Sequence, residues 1–185
     1  MQTITTAEAK TKLCELLKQE AFKKGSFTLS SGKSSNYYLD GRVITLTPEG
    51  AYLAASIILD MTAGDDIKAI GGPTLGADPI AGAVAVVSHL RGKPVKAFIV
   101  RKAAKEHGTQ RQIEGPLITP GSKVVLIDDV ATTGKALIEA KEVLDRAGIK
   151  AEKAIVIVDR EEGAPENLLR VGLELQAIFS IKEFL

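Results

Sequence analysis

The chain has 185 residues, the length of one compact domain, which argues against a two-domain fusion enzyme. Hydrophobic residues make up 45% and charged residues 25% of the chain, a composition that supports a sizeable core and argues against intrinsic disorder. The 24 basic and 23 acidic side chains leave a formal net charge of +1, which excludes an overall electrostatic attraction to nucleic acid or to an anionic membrane.

Two helices with a long connection between them are predicted in the N-terminal part of the chain. Thr5 and Glu8 match a capping box at which the first helix would begin. The second helix would open at the Thr47-Pro48 pair and run to about Met61. The apolar face of the first helix is expected to consist of Leu13, Leu16, Leu17 and Ala21.

Farther along the chain, apolar segments rich in valine and isoleucine alternate with helical patterns, which are predicted over Asp78–Leu90 and Gly134–Ala147. The middle apolar segments are continuous rather than alternating, as parallel strands covered on both faces require. The predicted fold class is therefore α/β, a mainly parallel sheet flanked by helices, which binds ligands at the carboxyl ends of its strands. The predicted strands are Ile67–Ile70, Val95–Val100, Val124–Ile127, Ala154–Val158 and Leu173–Phe179.

Two connections are too long for the short loops of such a domain. Phe27–Gly41 is small, polar and aromatic, and Lys102–Gly121 joins two strands without a clear helical pattern. Connections longer than ~12–15 residues in a compact domain are usually lids, binding loops or disordered segments. Both connections are therefore candidate elements of a functional site.

The strongest chemical signal is the segment VVLIDDVATTGKAL, in which a buried strand ends in two acids and a small-residue turn opens a helix. Unpaired N–H groups at a helix N-terminus favour an anion, so Ala131–Lys135 is predicted to bind a phosphate monoester. Asp128 and Asp129 would repel that phosphate unless they bind another part of the same ligand, and vicinal ribose hydroxyls fit that role. The alternative is a solvated strand end followed by an ordinary helix cap.

Competing nucleotide motifs do not fit this chain. Gly71–Gly76 has the glycine spacing of a Walker A loop, but Ala77-Asp78 stands where that motif needs lysine and a hydroxyl residue. No G-x-G-x-x-G follows a first strand. The segment IDDVATTGKA instead resembles the phosphoribosyl pyrophosphate (PRPP) motif of the type I phosphoribosyltransferases. The resemblance implies that this fold binds PRPP through Asp128, Asp129, Val130, Ala131, Thr132, Thr133, Gly134, Lys135 and Ala136.

The segment Arg101–Arg111, RKAAKEHGTQR, is a basic loop that directly follows a predicted buried strand. A run of charges is commonly just a solvated surface, but this one lies where a lid over the ligand would close. Its pattern resembles the mobile loop of the orotate phosphoribosyltransferase family. The resemblance implies a homodimer in which the loop reaches the neighbouring subunit's site, and it adds Arg101, Lys102, Lys105 and His107 as PRPP-binding residues.

Three further segments, FTLSSGKSSNYYLD, GGPTLGADPIAG and VDREEG, resemble the orotate-side loop, the pyrophosphate-side loop and the arginine segment of that family. The resemblance implies that Arg160 pairs with the orotate carboxylate and that Thr132 contacts the pyrimidine ring. A two-pronged guanidinium–carboxylate pair agrees with that role, although Arg160 could instead pair with a neighbouring glutamate. Tyr38 is assigned to the base as well, and Tyr37 and Tyr38 could equally belong to the core.

A single domain over residues 1–185 is expected, with residues 1–45 as a small hood on the base side. Some family members have lysine where this chain has Ser30 and Gly76. The resemblance then leaves backbone amides and the segment Arg101–His107 to hold the pyrophosphate.

The activity implied by the resemblance is the transfer of ribose 5-phosphate from PRPP to orotate, with Mg²⁺, in de novo pyrimidine biosynthesis. Lys105, His107 and Asp129 would be the catalytic residues, the first two near the leaving pyrophosphate and the acid near the anomeric carbon. Two alternatives remain: a purine phosphoribosyltransferase, which has no use for a carboxylate clamp, and a PRPP-sensing regulator on the same fold.

The cellular setting is predicted to be the cytoplasm. Cys14 is the single cysteine, which excludes an intrachain disulfide and fits a reducing compartment. No apolar run approaches the ~18 residues that a membrane span needs, and the polar start MQTITTAEAK does not resemble a signal peptide. The resemblance implies that the partners are the two substrates and a second copy of the chain, and the charge balance and lack of an apolar span predict no nucleic acid and no membrane.

Overall fold

The computed structural model describes residues 4–28, 34–103 and 112–185, and these ranges contain two sheets. The small sheet is an antiparallel hairpin of β1 (Phe22–Thr28) and β2 (Ser34–Leu39). The strands of the large sheet are β3 (Ala69–Pro73), β4 (Lys96–Val100), β5 (Ile113–Glu114), β6 (Lys123–Ala131), β7 (Lys150–Asp159) and β8 (Glu174–Ser180). They lie in the order β5-β4-β3-β6-β7-β8, and every neighbouring pair is parallel except β4 with the edge strand β5.

Six α-helices accompany the sheets within the described ranges. They are α1 (Thr6–Leu16), α2 (Arg42–Thr45), α3 (Pro48–Met61), α4 (Ala77–Leu90), α5 (Lys135–Arg146) and α6 (Ala164–Leu169). A π-helical turn, Leu17–Ala21, continues α1, and a 3₁₀ turn, Ile181–Glu183, follows β8. No helix in the described part of the chain is long and apolar enough to cross a membrane.

The large sheet is covered on both faces, as its sequence pattern predicts. Along β6, Val125 and Ile127 pack into one apolar cluster with α1, α3 and α4, and Val124 and Leu126 pack into a second cluster with α5 and α6. Successive side chains of a strand point to opposite faces, so a strand between two helical layers must be apolar at every position. The predicted fold class, a mainly parallel sheet flanked by helices, is confirmed.

The predicted helix signals are also found. Thr5 Oγ1 accepts a hydrogen bond from the Glu8 N–H at 3.3 Å, and Glu8 accepts one from the Thr5 N–H at 3.0 Å. Thr47 caps α3 through the Gly50 N–H at 3.1 Å. Gly148, with a φ of +71°, follows the end of α5, where a left-handed residue is favourable.

The structure places strands in both long connections and corrects the end of one predicted strand. Phe27–Gly41 contains the end of β1 and all of β2. Lys102–Gly121 contains the short β5, which pairs with β4. The strand that was expected to stop at Ile127 continues to Ala131, because its pairing with β7 continues past the two acids. Asp128 and Asp129 therefore lie within a strand rather than beyond its end.

Candidate functional site

The segments predicted to carry chemistry follow neighbouring strands at one edge of the large sheet. The glycine-rich loop Gly71–Gly76 lies at the end of β3, the acid pair lies in the last part of β6, and Arg160 follows β7 directly. These strands are parallel neighbours, so their carboxyl ends meet at the same edge. A cleft of about 370 Å³, lined by residues such as Gly64 and Lys123, lies near the opposite ends of the strands. It is larger than the pocket of about 150 Å³ at the predicted phosphate turn, so volume alone does not identify the site.

Asp128 and Asp129 are held in place by backbone donors and by two glycines. The Asp129 N–H donates to Asp128 Oδ1 at 3.0 Å, and the Val130 N–H donates to Asp129 Oδ1 at 2.9 Å. A Cβ at Gly76 would lie 2.0 Å from Asp128 Oδ1, and one at Gly41 would lie 2.8 Å from Asp129 Cβ. A side chain at position 76, such as the lysine of some family members, therefore does not fit this arrangement of the acids.

The two carboxyls differ in their electrostatic surroundings. Burial raises the pKa of the Asp128 carboxyl well above its usual range, and the charge of Asp129 raises it further. Burial also raises the pKa of Asp129, but the Val130 N–H, the Asp128 side chain and the Arg42 guanidinium act in the opposite direction. The two carboxyls titrate as a pair, and the charge of Arg42 favours Asp129 as the ionised member.

Arg42 is a site residue that the sequence did not reveal. Its guanidinium donates to both carboxylate oxygens of Asp40 at 2.9 Å, and that pairing lowers the pKa of Asp40. The positive charge of Arg42 also favours the ionised form of Asp129. The local Asp40-Gly41-Arg42 sequence is the one signal for the pairing of Arg42 with Asp40. It does not predict that the charge of Arg42 acts on Asp129.

The predicted phosphate turn forms a small pocket of about 150 Å³. Gly134 has a φ of +78° and precedes the first residue of α5, so the N–H groups of the turn lie at the start of that helix. A Cβ at Gly134 would lie 2.9 Å from Leu168, so this glycine also allows α6 to pack against the turn. The pocket includes every predicted PRPP-binding residue of this segment except Asp129. It is lined by Asp128, Val130, Ala131, Thr132, Thr133, Gly134, Lys135, Ala136 and Leu137.

Arg160 is nearly buried, with 8% of its side chain exposed. Its Nε lies 3.0 Å from Glu162 Oε1, so the neighbouring ion pair considered from the sequence is present. Its guanidinium carbon lies 4.8 Å from the ring centre of Tyr37, which stacks in turn on Phe22. Arg160 is therefore held between a ring and a carboxylate.

The hairpin places its two tyrosines differently. Tyr37 contacts Arg160, whereas Tyr38 packs its ring 5.6 Å from Phe27 and has its hydroxyl 3.5 Å from Asp40. Tyr37 is thus the tyrosine that contacts Arg160, whereas the sequence analysis assigned Tyr38 to the base. The assignment of Tyr38 to the base stays a prediction.

The basic loop is described only at its start. Arg101 lies 3.3 Å from Glu114, and its N–H donates to the Gln112 carbonyl at 2.8 Å, so it joins β4 to the segment around β5. Lys102 is exposed and lines a pocket of about 190 Å³ that also includes Ala136. Lys105, His107 and Ser30, on which further predictions depend, lie outside the described residues.

Comparison with known proteins agrees with the resemblance to phosphoribosyltransferases that the sequence motifs indicate. A family model described as "Phosphoribosyl transferase domain" matches residues 45–182. Orotate phosphoribosyltransferase of Synechocystis sp. is 46% identical over 181 residues, which cover 98% of this chain and 91% of that protein. The enzyme of the same name from Nostoc sp. is 44% identical, with 98% of this chain and 87% of that protein covered.

A solved structure extends the likeness to three dimensions. The crystal structure of Mycobacterium tuberculosis orotate phosphoribosyltransferase in complex with PRPP has a TM-score of 0.79 to this chain at 32% identity. The superposition covers 95% of this chain and 98% of that one. The similarity therefore includes the hairpin and the N-terminal helix as well as the large sheet.

Proposed function

This chain belongs to the orotate phosphoribosyltransferases, and from that premise we propose how its residues perform the reaction. The enzyme transfers ribose 5-phosphate from PRPP to orotate, which yields orotidine 5′-monophosphate and pyrophosphate in pyrimidine biosynthesis. The observation that carries the assignment of roles is the juxtaposition of the acid pair and the phosphate turn on one strand–turn–helix unit. We also propose a cytoplasmic setting, because a single cysteine fits a reducing compartment.

The PRPP side of the site follows from the turn and the acids. We assign the 5-phosphate to the N–H groups and hydroxyls of Ala131–Lys135, where the start of α5 favours an anion. The ribose hydroxyls then reach Asp128 and Asp129, whose oxygens accept hydrogen bonds from them. An ionised Asp129 stabilises the positive charge that develops at the anomeric carbon as pyrophosphate leaves.

The base side follows from Arg160. Its guanidinium is buried and fixed by Tyr37 and Glu162, so it offers a pre-organised donor to a carboxylate. Orotate carries such a carboxylate and purine bases do not, which favours orotate over the purine alternative. Thr132, half-buried in the phosphate turn, is assigned to the pyrimidine ring.

The site chemistry suits Mg²⁺, which we propose as the cofactor. The carboxylates of Asp128 and Asp129 provide the oxygen ligands that this ion prefers, and Asp78 Oδ1 is buried without a hydrogen-bond partner among the described residues. The described residues contain no cluster of three or more protein ligands, so the pyrophosphate and ribose oxygens of PRPP would supply most of the coordination. When bound, the ion neutralises charge on the leaving group.

We further propose a homodimer in which the basic loop completes the neighbouring site. Apolar side chains lie exposed beside the acid pair: Val43 and Leu46 are 44% and 73% exposed on and just after α2, and Leu75 is 64% exposed. Gly41 and Gly76 both abut Asp129, so these exposed apolar side chains belong to segments that contact the acid pair. Covering such a surface is a common reason for association.

A subunit-mixing experiment tests the shared site. Lys105→Ala and Asp129→Ala proteins, each inactive alone, are expected to regain up to about a quarter of wild-type activity after equal mixing, because half of the random dimers are hybrids with one intact site. Mixing Asp129→Ala with Arg160→Ala is the matched control, since both residues serve the same subunit's site and no recovery is expected. No recovery in the test pair would contradict the shared site, and recovery in the control would contradict the placement of Asp129 and Arg160 in the same site.

A spectrophotometric assay tests the activity itself. Orotate absorbance is expected to fall only when PRPP and Mg²⁺ are both present, and chelation of the metal should abolish the change. Uracil, which lacks the carboxylate, and the purines adenine and hypoxanthine serve as controls and are expected to be poor substrates. Turnover of a purine in place of orotate would retain the PRPP site and refute the base assignment.

A further inference from the structure

Helix α6 contacts the phosphate turn, although no assigned substrate group lies on this helix. Asn167 Nδ2 donates a hydrogen bond to the Thr133 carbonyl oxygen at 3.0 Å. The next residue, Leu168, lies against Gly134, where a Cβ would approach its side chain to 2.9 Å. The turn is therefore held from outside by one polar contact and one apolar contact.

The polar contact determines which way a peptide group of the turn faces. In a trans peptide the carbonyl and the following N–H point in opposite directions. Because the Thr133 carbonyl points toward Asn167, the Gly134 N–H points away from α6. That N–H belongs to the residues that line the phosphate pocket and precede the first turn of α5. A rotation of this peptide would replace a donor to phosphate with a repelling carbonyl oxygen.

The amide of Asn167 is itself fixed in one orientation. Its Oδ1 accepts a hydrogen bond from Arg170 Nη1 at 3.2 Å, which leaves the NH₂ group to face the turn. Its backbone N–H donates to the Gly163 carbonyl at 3.1 Å, and Gly163 begins the helix with a φ of +94°. Asn167 is thus anchored at both its backbone and its side chain.

We propose that Asn167 is a positioning residue for the 5-phosphate subsite, which it serves by orienting the Thr133–Gly134 peptide. The inference rests on the proposed placement of the PRPP 5-phosphate in this turn. It predicts a selective effect, because Asn167 acts on the phosphate pocket and has no contact with Arg160 or Tyr37 among the described residues.

The test uses ribose 5-phosphate as a binding probe alongside steady-state kinetics. Asn167→Ala is expected to weaken ribose 5-phosphate binding and to raise KM for PRPP by about five- to tenfold, the effect of one lost hydrogen bond. The KM for orotate and kcat at saturating substrates should change by less than about twofold. Leu169→Ala is the matched control, since Leu169 lies on the same helix and is 69% exposed.

Asn167→Asp separates orientation from general support of α6. In this nearly isosteric variant an ionised carboxylate oxygen faces the Thr133 carbonyl oxygen, and the two acceptors repel each other. The variant should therefore bind ribose 5-phosphate more weakly than Asn167→Ala at about pH 8. The ordinary aspartate pKa of about 3.9 and the neighbouring Arg170 keep this carboxylate ionised, so the same order of affinities is expected at every pH above about 5. Binding of ribose 5-phosphate to Asn167→Asp that is as tight as, or tighter than, its binding to Asn167→Ala would overturn the orienting role.

Thr133→Ala distinguishes failure of the inference from failure of the subsite. If ribose 5-phosphate binds normally to Asn167→Ala but weakly to Thr133→Ala, the subsite is correct and Asn167 has no positioning role. If both variants bind normally, neither the Thr133 hydroxyl nor Asn167 serves the 5-phosphate, and both the inference and the assignment of that hydroxyl are wrong. Equal increases in the KM values for PRPP and orotate would identify Asn167 as a structural residue only.

Discussion

Replacing Asp129 with asparagine is expected to lower kcat/KM by about 100- to 1000-fold, the size of effect seen when one preorganised electrostatic group is removed from a transition state. Asparagine retains the shape that fits against Gly41 and Gly76, and its Oδ1 can still accept from the Val130 N–H. What is lost is the negative charge beside the anomeric carbon. Steady-state kinetics with PRPP and orotate measure the loss, and a decrease of less than about threefold would refute the catalytic role.

The pH profile gives this prediction a second readout. Because burial raises the pKa of Asp129, wild-type kcat/KM should fall on acidification at a pH above the ordinary aspartate value of about 3.9. Protonation removes the charge that the reaction uses, so activity is present above the folded-state pKa and is lost as the pH falls through it. The residual activity of Asp129→Asn should lack this acidic limb.

Stability is the control that separates lost chemistry from lost folding. Because the pKa of Asp129 is raised, ionisation of its carboxyl destabilises the folded protein. This destabilisation is complete above the folded-state pKa and absent below the unfolded-state pKa. Asp129→Asn should therefore unfold at an equal or higher temperature than wild type at neutral pH, and the difference should vanish in acid. A variant that is both inactive and less stable would not test the catalytic role.

The part of the site that could be predicted from sequence is the part built from consecutive residues. Asp128, Asp129 and the turn after them are local to one strand–turn–helix unit, so their chemistry is readable in order along the chain. The continuous apolar runs of β6 and β7 predicted their burial on both faces for the same reason.

The contacts that could not be predicted join residues far apart in the sequence. Arg42 influences Asp129 because α2 begins where Gly41 packs on the acid, and no periodicity in either segment encodes that approach. Asn167 reaches Thr133 from a helix of only six residues, too short for an apolar period to be recognised. The hairpin was missed because β1 and β2 have mostly exposed or half-buried residues and lack the apolar alternation that marks a strand.

Replacing Arg160 with alanine is expected to raise the KM for orotate by about 100-fold or more, because truncating one partner of a buried charge pair costs about 2–5 kcal/mol. Burial of Arg160 between Tyr37 and Glu162 makes the site especially sensitive, since the guanidinium is already ordered before orotate arrives. Arg160→Lys should retain part of the affinity, because an ammonium supplies the charge without the two-pronged geometry. The KM for PRPP should stay within about twofold of wild type, and Arg146→Ala, an exposed arginine on α5, is the control.

A double variant tests why the effect should be so large. In Arg160→Ala the carboxylate of Glu162 loses its partner and is left near the position assigned to the orotate carboxylate, where it repels the substrate. Adding Glu162→Gln should therefore recover part of the lost orotate affinity. In the wild-type background the same change should give no such gain, because Arg160 is paired with Glu162 there. Such coupling in a double-mutant cycle identifies Glu162 as the partner that holds the clamp. Purely additive effects would mean that Glu162 does not hold the clamp. An orotate KM that stays within about threefold in Arg160→Ala would mean that orotate is recognised elsewhere.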